Sequence, residues 1–321
     1  MDLKSLIPTY TKQKNGQYDY TFTVFTPVYN RADTIKRVFD SLNAQTYRDF
    51  ELLIINDGST DNSHDVIEDL IKSCDFPVRY VNNKENKHKM ACLLQGVQLA
   101  NGKFFLTFDS DDECTENALE AFKNTYDAIP DNQKESVCSL TCLCQDQFGN
   151  LVGEKFDTDL FYSSTFGNML MDRFKSEKWG FTKTDVLKGI SVNEFLFAKG
   201  YIPEGVIWNL FSKENYKTLY FNEILRIYYI DTENNISSGQ IKNNALGLAI
   251  YSLANANWFY KNYFYKNPIL FFKQVYLLLL SSKYLDFNRR DYSKALNSNL
   301  LKSLFNICWP FRVFITAKPI S

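Results

Sequence analysis

Two apolar runs, Phe50–Asn56 (FELLIIN) and Lys103–Phe108 (KFFLTF), lead straight into an aspartate, Asp57 and Asp109. A strand with almost no polar position has no face to show to water, so it belongs in a sheet covered by helices on both sides. The intervening chain supplies those helices. Tyr20–Thr26 is β-branched and aromatic and ends at Pro27, which predicts a strand and then a loop. Ile35, Val38 and Leu42 fall on one helical stripe. Asp57–Asp61 reads as a turn with Ser and Asp side chains able to cap a helix continued by Val66, Ile67, Leu70 and Ile71. Val78–Val81 predicts a short strand, Met90–Ala100 a helix with Gly102 at its exit, and Glu116–Ala128 another helix. The alternation predicts an α/β chain with a doubly wound, mainly parallel sheet and flanking helices over about the first 130 residues.

Downstream the pattern loosens. Val137–Gln145, a Phe148-Gly149-Asn150 turn and Leu151–Phe156 predict a hairpin. Trp179–Leu187 predicts a strand and a short helix, Tyr201–Ser212 an apolar helix, and Thr218–Ile230 a strand rich in Tyr and Ile. Polar Thr232–Gly239 marks a boundary, and Ala245–Tyr265, Ile269–Tyr284 and Lys294–Ile307 predict a C-terminal helical extension. The domains expected are therefore 1–231 and 232–321.

Ligands of doubly wound sheets bind beyond the carboxyl ends of the strands. Acidic residues gather there: Asp57 after one strand, and Asp109-Ser110-Asp111-Asp112-Glu113 after another. Four acidic groups in five positions repel one another. A solvated turn tolerates this, and a divalent cation relieves it. A hard cation such as Mg²⁺ needs one or two carboxylates, with water and substrate phosphates completing its shell. GxxxxGK[ST] and GxGxxG are both absent, so neither a phosphate-loop nucleotide site nor a dinucleotide site is supported. A metal-held nucleoside diphosphate remains open.

Thr26-Pro27-Val28-Tyr29-Asn30-Arg31, Asn56-Asp57-Gly58-Ser59-Thr60-Asp61 and Phe108-Asp109-Ser110-Asp111-Asp112 resemble, in order and spacing, three successive signatures of glycosyltransferase family 2. Gly96, Ala100 and Gly102 match the step before the Asp-x-Asp. The resemblance implies a GT-A fold and transfer of a sugar, with inversion, from a nucleoside diphosphate donor, UDP by family base rate, to a hydroxyl acceptor. Carried onto this chain, it implies that Pro27 and Tyr29 line the base pocket and that Asp57 accepts from the base ring N–H. It implies that Asp109 reaches the ribose or the metal, and that Asp111 is the principal ligand of Mn²⁺ or Mg²⁺. Within Asn86-Lys87-His88-Lys89-Met90, His88 or Lys89 stands where the family carries a basic residue near the diphosphate; a solvated basic loop is the alternative. Glu204, in Glu204-Gly205-Val206-Ile207-Trp208, resembles the family's general base, although the family more often pairs two acids where this chain has Pro203-Glu204. A late metal-binding His has no counterpart, since the chain's histidines are His64 and His88. Lys178 beside Trp179 is a further candidate for the diphosphate or acceptor. The bland alternatives are a Tyr29 packed on the core, an Asp57 that closes an Asx-turn, and a Glu204 that complements a helix dipole.

The net charge of −1 excludes a generic nucleic-acid binder but hides an asymmetry. Residues 241–321 hold 11 Lys and Arg against 2 Asp and Glu, and the rest 25 against 35. The tail also has 17 aromatics. Such helices suit the face of an anionic bilayer; packing on the acidic body or a homo-oligomer contact is the alternative. Seven cysteines without regular spacing predict reduced thiols, and no run approaches a membrane span. The chain is thus expected to be cytoplasmic, or peripheral at the inner membrane face, in polysaccharide or glycolipid assembly on a glycan or lipid-linked acceptor. A catalytically silent GT-A module that binds a partner or glycan is the competing reading. A nucleotidyltransferase would want a basic, Gly-rich loop that Thr26–Asp33 does not supply.

Overall fold

Strand pairing follows the apolar pattern closely. The computed structural model describes residues 2–14, 16–171, 173, 176–193, 196, 202–230 and 241–315. The expected boundary segment Thr232–Gly239 lies outside them. Two compact units emerge, and each is built from separate stretches of chain. One comprises the described residues of Lys12–Gly189 and Asn215–Glu233, the other those of Met1–Thr11, Ile190–Glu214 and Asn234–Ser321.

The second unit contains β1 (Thr9–Tyr10), and the first opens with β2 (Tyr20–Val28), α1 (Lys36–Asn43), β3 (Phe50–Asp57), α2 (Ser63–Ser73), β4 (Val78–Asn83), α3 (Lys89–Leu99) and β5 (Gly102–Thr107). Then follow β6 (Glu113–Cys114), α4 (Ala118–Asp127), α5 (Asp131–Lys134), β7 (Val137–Asp146), β8 (Leu160–Ser163), α6 (Thr165–Leu170), β9 (Trp179–Lys183) and α7 (Thr184–Lys188). β10 (Ile190–Ser191) and α8 (Gly205–Lys213) belong to the second unit, and β11 (Lys217–Tyr228) returns to the first. The sheet runs β4-β3-β2-β5-β9-β7-β11-β6, with β8 on β11. β4, β3, β2 and β5 are mutually parallel, as expected, whereas β9 is antiparallel to both its neighbours, so the sheet is parallel on one side and mixed on the other. The predicted hairpin is not formed: Leu151 makes a single bridge to Gln145, no strand forms over Leu151–Phe156, and the next strand, β8, pairs with β11. Asp146 explains the turn there, since its Oδ1 accepts from the Phe148 and Asn150 amides.

Every residue of β3 is buried, as its composition requires. One core cluster lies on the α1 and α4 side, where Val38, Phe39 and Leu42 join Phe22, Phe104 and Phe122, and Phe25 stacks on Phe105 on the opposite face. Phe122 from α4 sits edge-on to Trp179, Phe181 and Phe221, with ring centroids 5.4, 5.5 and 5.7 Å away. Gly102 opens β5 against β2, and a Cβ there would stand 2.1 Å from the Thr23 backbone nitrogen. Cys138, Cys142 and Cys144 share one parity on β7 and are all buried. Burial pushes their thiols up, to about 11 and about 12 for Cys138 and Cys144, so they behave as small hydrophobes.

In the second unit, α9 (Ile241–Tyr263) and α10 (Pro268–Ser281) are continuous helices. The third expected helix is instead two, α11 (Arg289–Ala295) and α12 (Asn299–Cys308), followed by a 3₁₀ turn over Trp309–Phe314. Local capping causes the break. Leu296 turns extended, and the Ser298 side chain accepts from the Leu301 amide to start α12. No helix among the described residues is long and apolar enough to cross a membrane.

Phe122→Ala is expected to cost about 3–5 kcal/mol, because it leaves a cavity among three other rings. Phe148→Ala, at an exposed turn, is expected to stay within about 0.5 kcal/mol of the parent. Urea unfolding of both variants checks this, and equal midpoints would contradict the placement of the core.

Candidate active site

The parallel register sets the ends of β2, β3 and β5 side by side. Val28 pairs with Asn56, and Phe25 with Thr107. Pro27 lies beyond the last β2–β5 pair, where a missing N–H breaks no ladder bond on that side. The chain then turns through Tyr29, which is 43% exposed, and Asn30, whose φ is +52°.

That turn is laced to the one after β3. The Asn30 amide donates to Ser59 Oγ at 2.9 Å, and its Oδ1 accepts from the Thr60 amide at 2.8 Å. The Arg31 amide donates to Ser63 Oγ, and the Ala32 amide to Asp61 Oδ2. Asn56 holds the second turn from below by accepting from the Ser59 amide and hydroxyl. Gly58 has φ +70°, and a Cβ there would lie 2.7 Å from the backbone of Glu85 and Asn86, so side chains are excluded twice over.

Asp57 is buried, with Oδ1 accepting from the Lys87 amide at 2.9 Å and Asn83 Nδ2 at 3.3 Å. It therefore fastens the 83–88 segment to the strand end rather than closing an Asx-turn. His88 is exposed, with φ +70°, immediately ahead of α3. Lys89 is the basic residue of that run that reaches the carboxylates, its Nζ donating to Asp109 Oδ1 at 3.1 Å.

The acidic turn after β5 is neutralised by cations of the chain itself. Asp109 Oδ2 accepts from Arg226 Nη2 at 2.8 Å, so both of its oxygens face a cation. Lys89 and Arg226 hold its carboxyl well below the usual range, against the opposing effect of burial. Asp112 is buried with Arg226, accepting from its Nε at 2.7 Å and from the Tyr229 amide at 2.9 Å. Burial pushes the Asp112 carboxyl up to about 6 in spite of the guanidinium. Asp111 Oδ2 lies 3.6 Å from Arg31 Nε. The backbone of the turn is held from α1 and the loop before it: Arg37 Nη1 donates to the Asp111 carbonyl at 2.7 Å and Thr34 Oγ1 to that of Ser110 at 3.0 Å. Arg37 in turn stacks on the Tyr229 ring, 3.7 Å from its centroid. Trp179 Nε1 donates to the Thr107 carbonyl at 2.6 Å, which fixes the strand just before the turn.

The structure thus gathers Tyr29, Asp57, Asp109 and Asp111 at three adjoining strand ends, and Lys89 reaches Asp109 from the start of α3. Arg226 was absent from the sequence expectations. Its signal was a single cation between Leu225 and Ile227 in a strand otherwise suited to burial, and a buried cation needs an anion. Lys178 donates to Ser176 Oγ at 2.6 Å and the Glu177 carbonyl, and burial lowers its pKa. Glu204 belongs to the helical unit, where it directly precedes α8 with helical backbone and does not cap it.

No group of three or more His, Cys, Asp or Glu side chains poised for a metal occurs among the described residues. His64 Nδ1 lies 3.0 Å from Tyr80 Oη, and its ring stacks on that tyrosine. The test for a divalent ion therefore rests on single carboxylates. Asp109 is engaged at both oxygens by hydrogen-bonded cations, whereas the Arg31 Nε beside Asp111 Oδ2 stands off at 3.6 Å. One such carboxylate fits a hard cation that takes its other ligands from phosphate and water.

Residues 23–144 match the family model described as glycosyl transferase family 2. Over that stretch the chain is similar to glycosyltransferases of family 2. Among its relatives is the GalNAc(5)-diNAcBac-PP-undecaprenol beta-1,3-glucosyltransferase of Campylobacter jejuni, 25% identical over 223 residues, or 69% of this chain and 68% of that protein. Two other curated relatives are matched over only 15% and 18% of their own lengths. The fold is GT-A. It superposes on Staphylococcus aureus TarS 1–349, solved with UDP-GlcNAc, at TM-score 0.59 and 14% identity, over 91% of this chain and 89% of that one. The Pyrobaculum calidifontis mannosyltransferase PcManGT, solved with GDP-Man and Mn²⁺, superposes at TM-score 0.52 and 15% identity, over 95% and 88%.

Arg226→Met is expected to cost about 3–5 kcal/mol, because it strands the buried Asp112 carboxylate. The pH dependence has a defined sign. Asp112 is already raised with the cation present and rises further without it. A carboxyl whose folded pKa exceeds its unfolded value takes up a proton on folding, so the variant loses stability as pH climbs through about 4–8. Urea unfolding should show a larger deficit against the parent at about pH 8 than at about pH 5. Equal deficits would mean that Asp112 does not depend on this guanidinium.

Proposed function

We propose that this chain transfers a sugar from a nucleoside diphosphate donor, UDP in the first instance, to a hydroxyl of a glycan or lipid-linked glycan, with inversion and with a divalent cation. The observation that carries the reading is the Asp111 carboxylate, with Arg31 standing off at 3.6 Å, beside an Asp109 whose two oxygens are hydrogen-bonded to Lys89 and Arg226. The C. jejuni relative, named for a polyprenol-linked substrate, supports a lipid-linked acceptor in cell-surface glycan assembly. TarS with UDP-GlcNAc and PcManGT with GDP-Man support a nucleotide-sugar donor, and PcManGT with Mn²⁺ supports the metal.

In this reading Tyr29 offers an exposed ring face on which a base stacks. Asp57 accepts from the base with the oxygen not spent on Lys87 and Asn83. Asp111 holds Mn²⁺ or Mg²⁺, which when bound supplies positive charge for the departing diphosphate. Lys89 swings from Asp109 to a phosphate oxygen, which leaves Asp109 paired with Arg226 and open to the ribose. His88, at the head of α3, is within one residue of that lysine and takes the solvent side of the diphosphate. Glu204 removes the proton of the acceptor hydroxyl, which is too weak a nucleophile without a base. The basic C-terminal region makes peripheral contact with the membrane that carries the acceptor.

Calorimetric titration of UDP and of GDP, with Mn²⁺ and after chelation, tests the donor site on the parent and on Asp111→Asn. Binding of one nucleotide that weakens at least about tenfold on chelation and in Asp111→Asn is expected. Binding unchanged by both would overturn the metal assignment. Nucleotide binding with no turnover of any sugar nucleotide would favour a catalytically silent module instead.

A further inference from the structure

The helical unit exposes apolar side chains in two stripes. α10 buries Phe271, Gln274, Val275 and Leu278. Its opposite stripe carries Ile269, Phe272, Lys273 and Tyr276, at the i, i+3, i+4, i+7 spacing of a single face, and all four are exposed, Ile269 by 76%. A helix packed on one side only would carry polar residues there. α12 buries Leu301 and Phe305 and turns Leu300 and Ile307 outward. The 3₁₀ turn after it adds Phe311, Val313 and Phe314, the last 80% exposed.

Charge decides what covers these stripes. Lys266, Lys273, Lys283, Arg289 and Arg290 are exposed on the same elements or the chain joining them. Of the two acids in residues 241–321, Asp291 is tied into the α11 capping box, with Oδ2 accepting from the Asn288 amide at 2.9 Å. A second copy of this chain would set the same cationic stripes against each other, which charge repulsion opposes. An anionic bilayer offers apolar depth and negative charge together, and no described helix is fit to span it.

We infer that the α10 stripe and the α12–3₁₀ stripe form a monotopic docking surface for an anionic lipid bilayer, with Ile269, Phe272, Ile307 and Phe311 inserted at headgroup depth and the neighbouring lysines and arginines on lipid phosphates. The inference deepens the lipid-linked acceptor reading. Vesicle binding needs neither donor nor acceptor, so it stands or falls separately from the transfer reaction.

Co-sedimentation of the full chain with phosphatidylcholine vesicles, with and without about 30 mol% phosphatidylglycerol, is the test. The bound fraction should be at least about tenfold higher on the anionic vesicles at ~0.1 M salt and fall several-fold at ~1 M. The double variant Ile269→Glu, Phe311→Glu should lose about tenfold in binding at an unchanged thermal midpoint, since both sites are exposed. Several results would overturn the inference: no binding to anionic vesicles at low salt, equal binding to neutral ones, or undiminished binding by the variant. A parent dimer that the two substitutions split, seen by sedimentation velocity, would also overturn it by making this face a contact between copies.

Discussion

Two carboxylates, Asp109 and Asp112, share one guanidinium at the end of β5, and the arrangement of the site follows from that pairing. Arg226 comes from β11, at the far side of the sheet, so the acidic turn cannot take its shape until the mixed half of the sheet has closed on the parallel half. Asp112 is almost wholly buried, and its ionised form is stabilised by the cation beside it. Asp109 is then divided between a buried arginine and a half-exposed lysine. Those two partners differ in kind. The arginine is a fixed fork, whereas the lysine is a flexible point charge that can leave for another anion.

The parallel register does the rest of the positioning. It brings three strand exits to one edge, and the two turns nearest each other are bonded through Asn30, Ser59, Asp61 and Ser63. Loops that would otherwise move independently become one scaffold under Tyr29 and Asp57. Backbone carbonyls of the acidic turn are held from Thr34 and Arg37, so its side chains are aimed by contacts that leave their carboxylate oxygens alone.

Much of this was legible in the sequence where the pattern was strong. FELLIIN and KFFLTF became β3 and most of β5 because strands buried on both faces tolerate nothing else. The acidic residues fell at strand ends, Asp57 as the last residue of β3 and the Asp109 cluster just past β5, because a carboxylate inside such a run would be buried on both faces. The less legible parts depend on distant partners or on local capping. The stretch Lys294–Ile307 is periodic enough for one helix, yet Ser298 caps a new one. Leu151–Phe156 has the composition of a strand but meets Gln145 at one bridge. The acidic turn suggested repulsion awaiting a metal, and its main counter-charges, Arg226, Lys89 and Arg31, lie between about 20 and 120 residues away in the chain, beyond any local pattern. That the described residues of 190–214 group with the C-terminal helices is likewise a matter of packing, which periodicity does not encode.

Asn30 carries a consequence for how such a chain can drift. Its backbone is left-handed, which penalises most side chains, and its amide oxygen receives the Thr60 N–H. Glycine would satisfy the first demand and leave the second empty. Serine or glutamine would meet neither well, and aspartate would set a negative charge toward Asp61. The position therefore has almost no neutral neighbours in sequence space, for reasons that lie in the turn itself. Selection on the reaction would be felt there as selection on a turn.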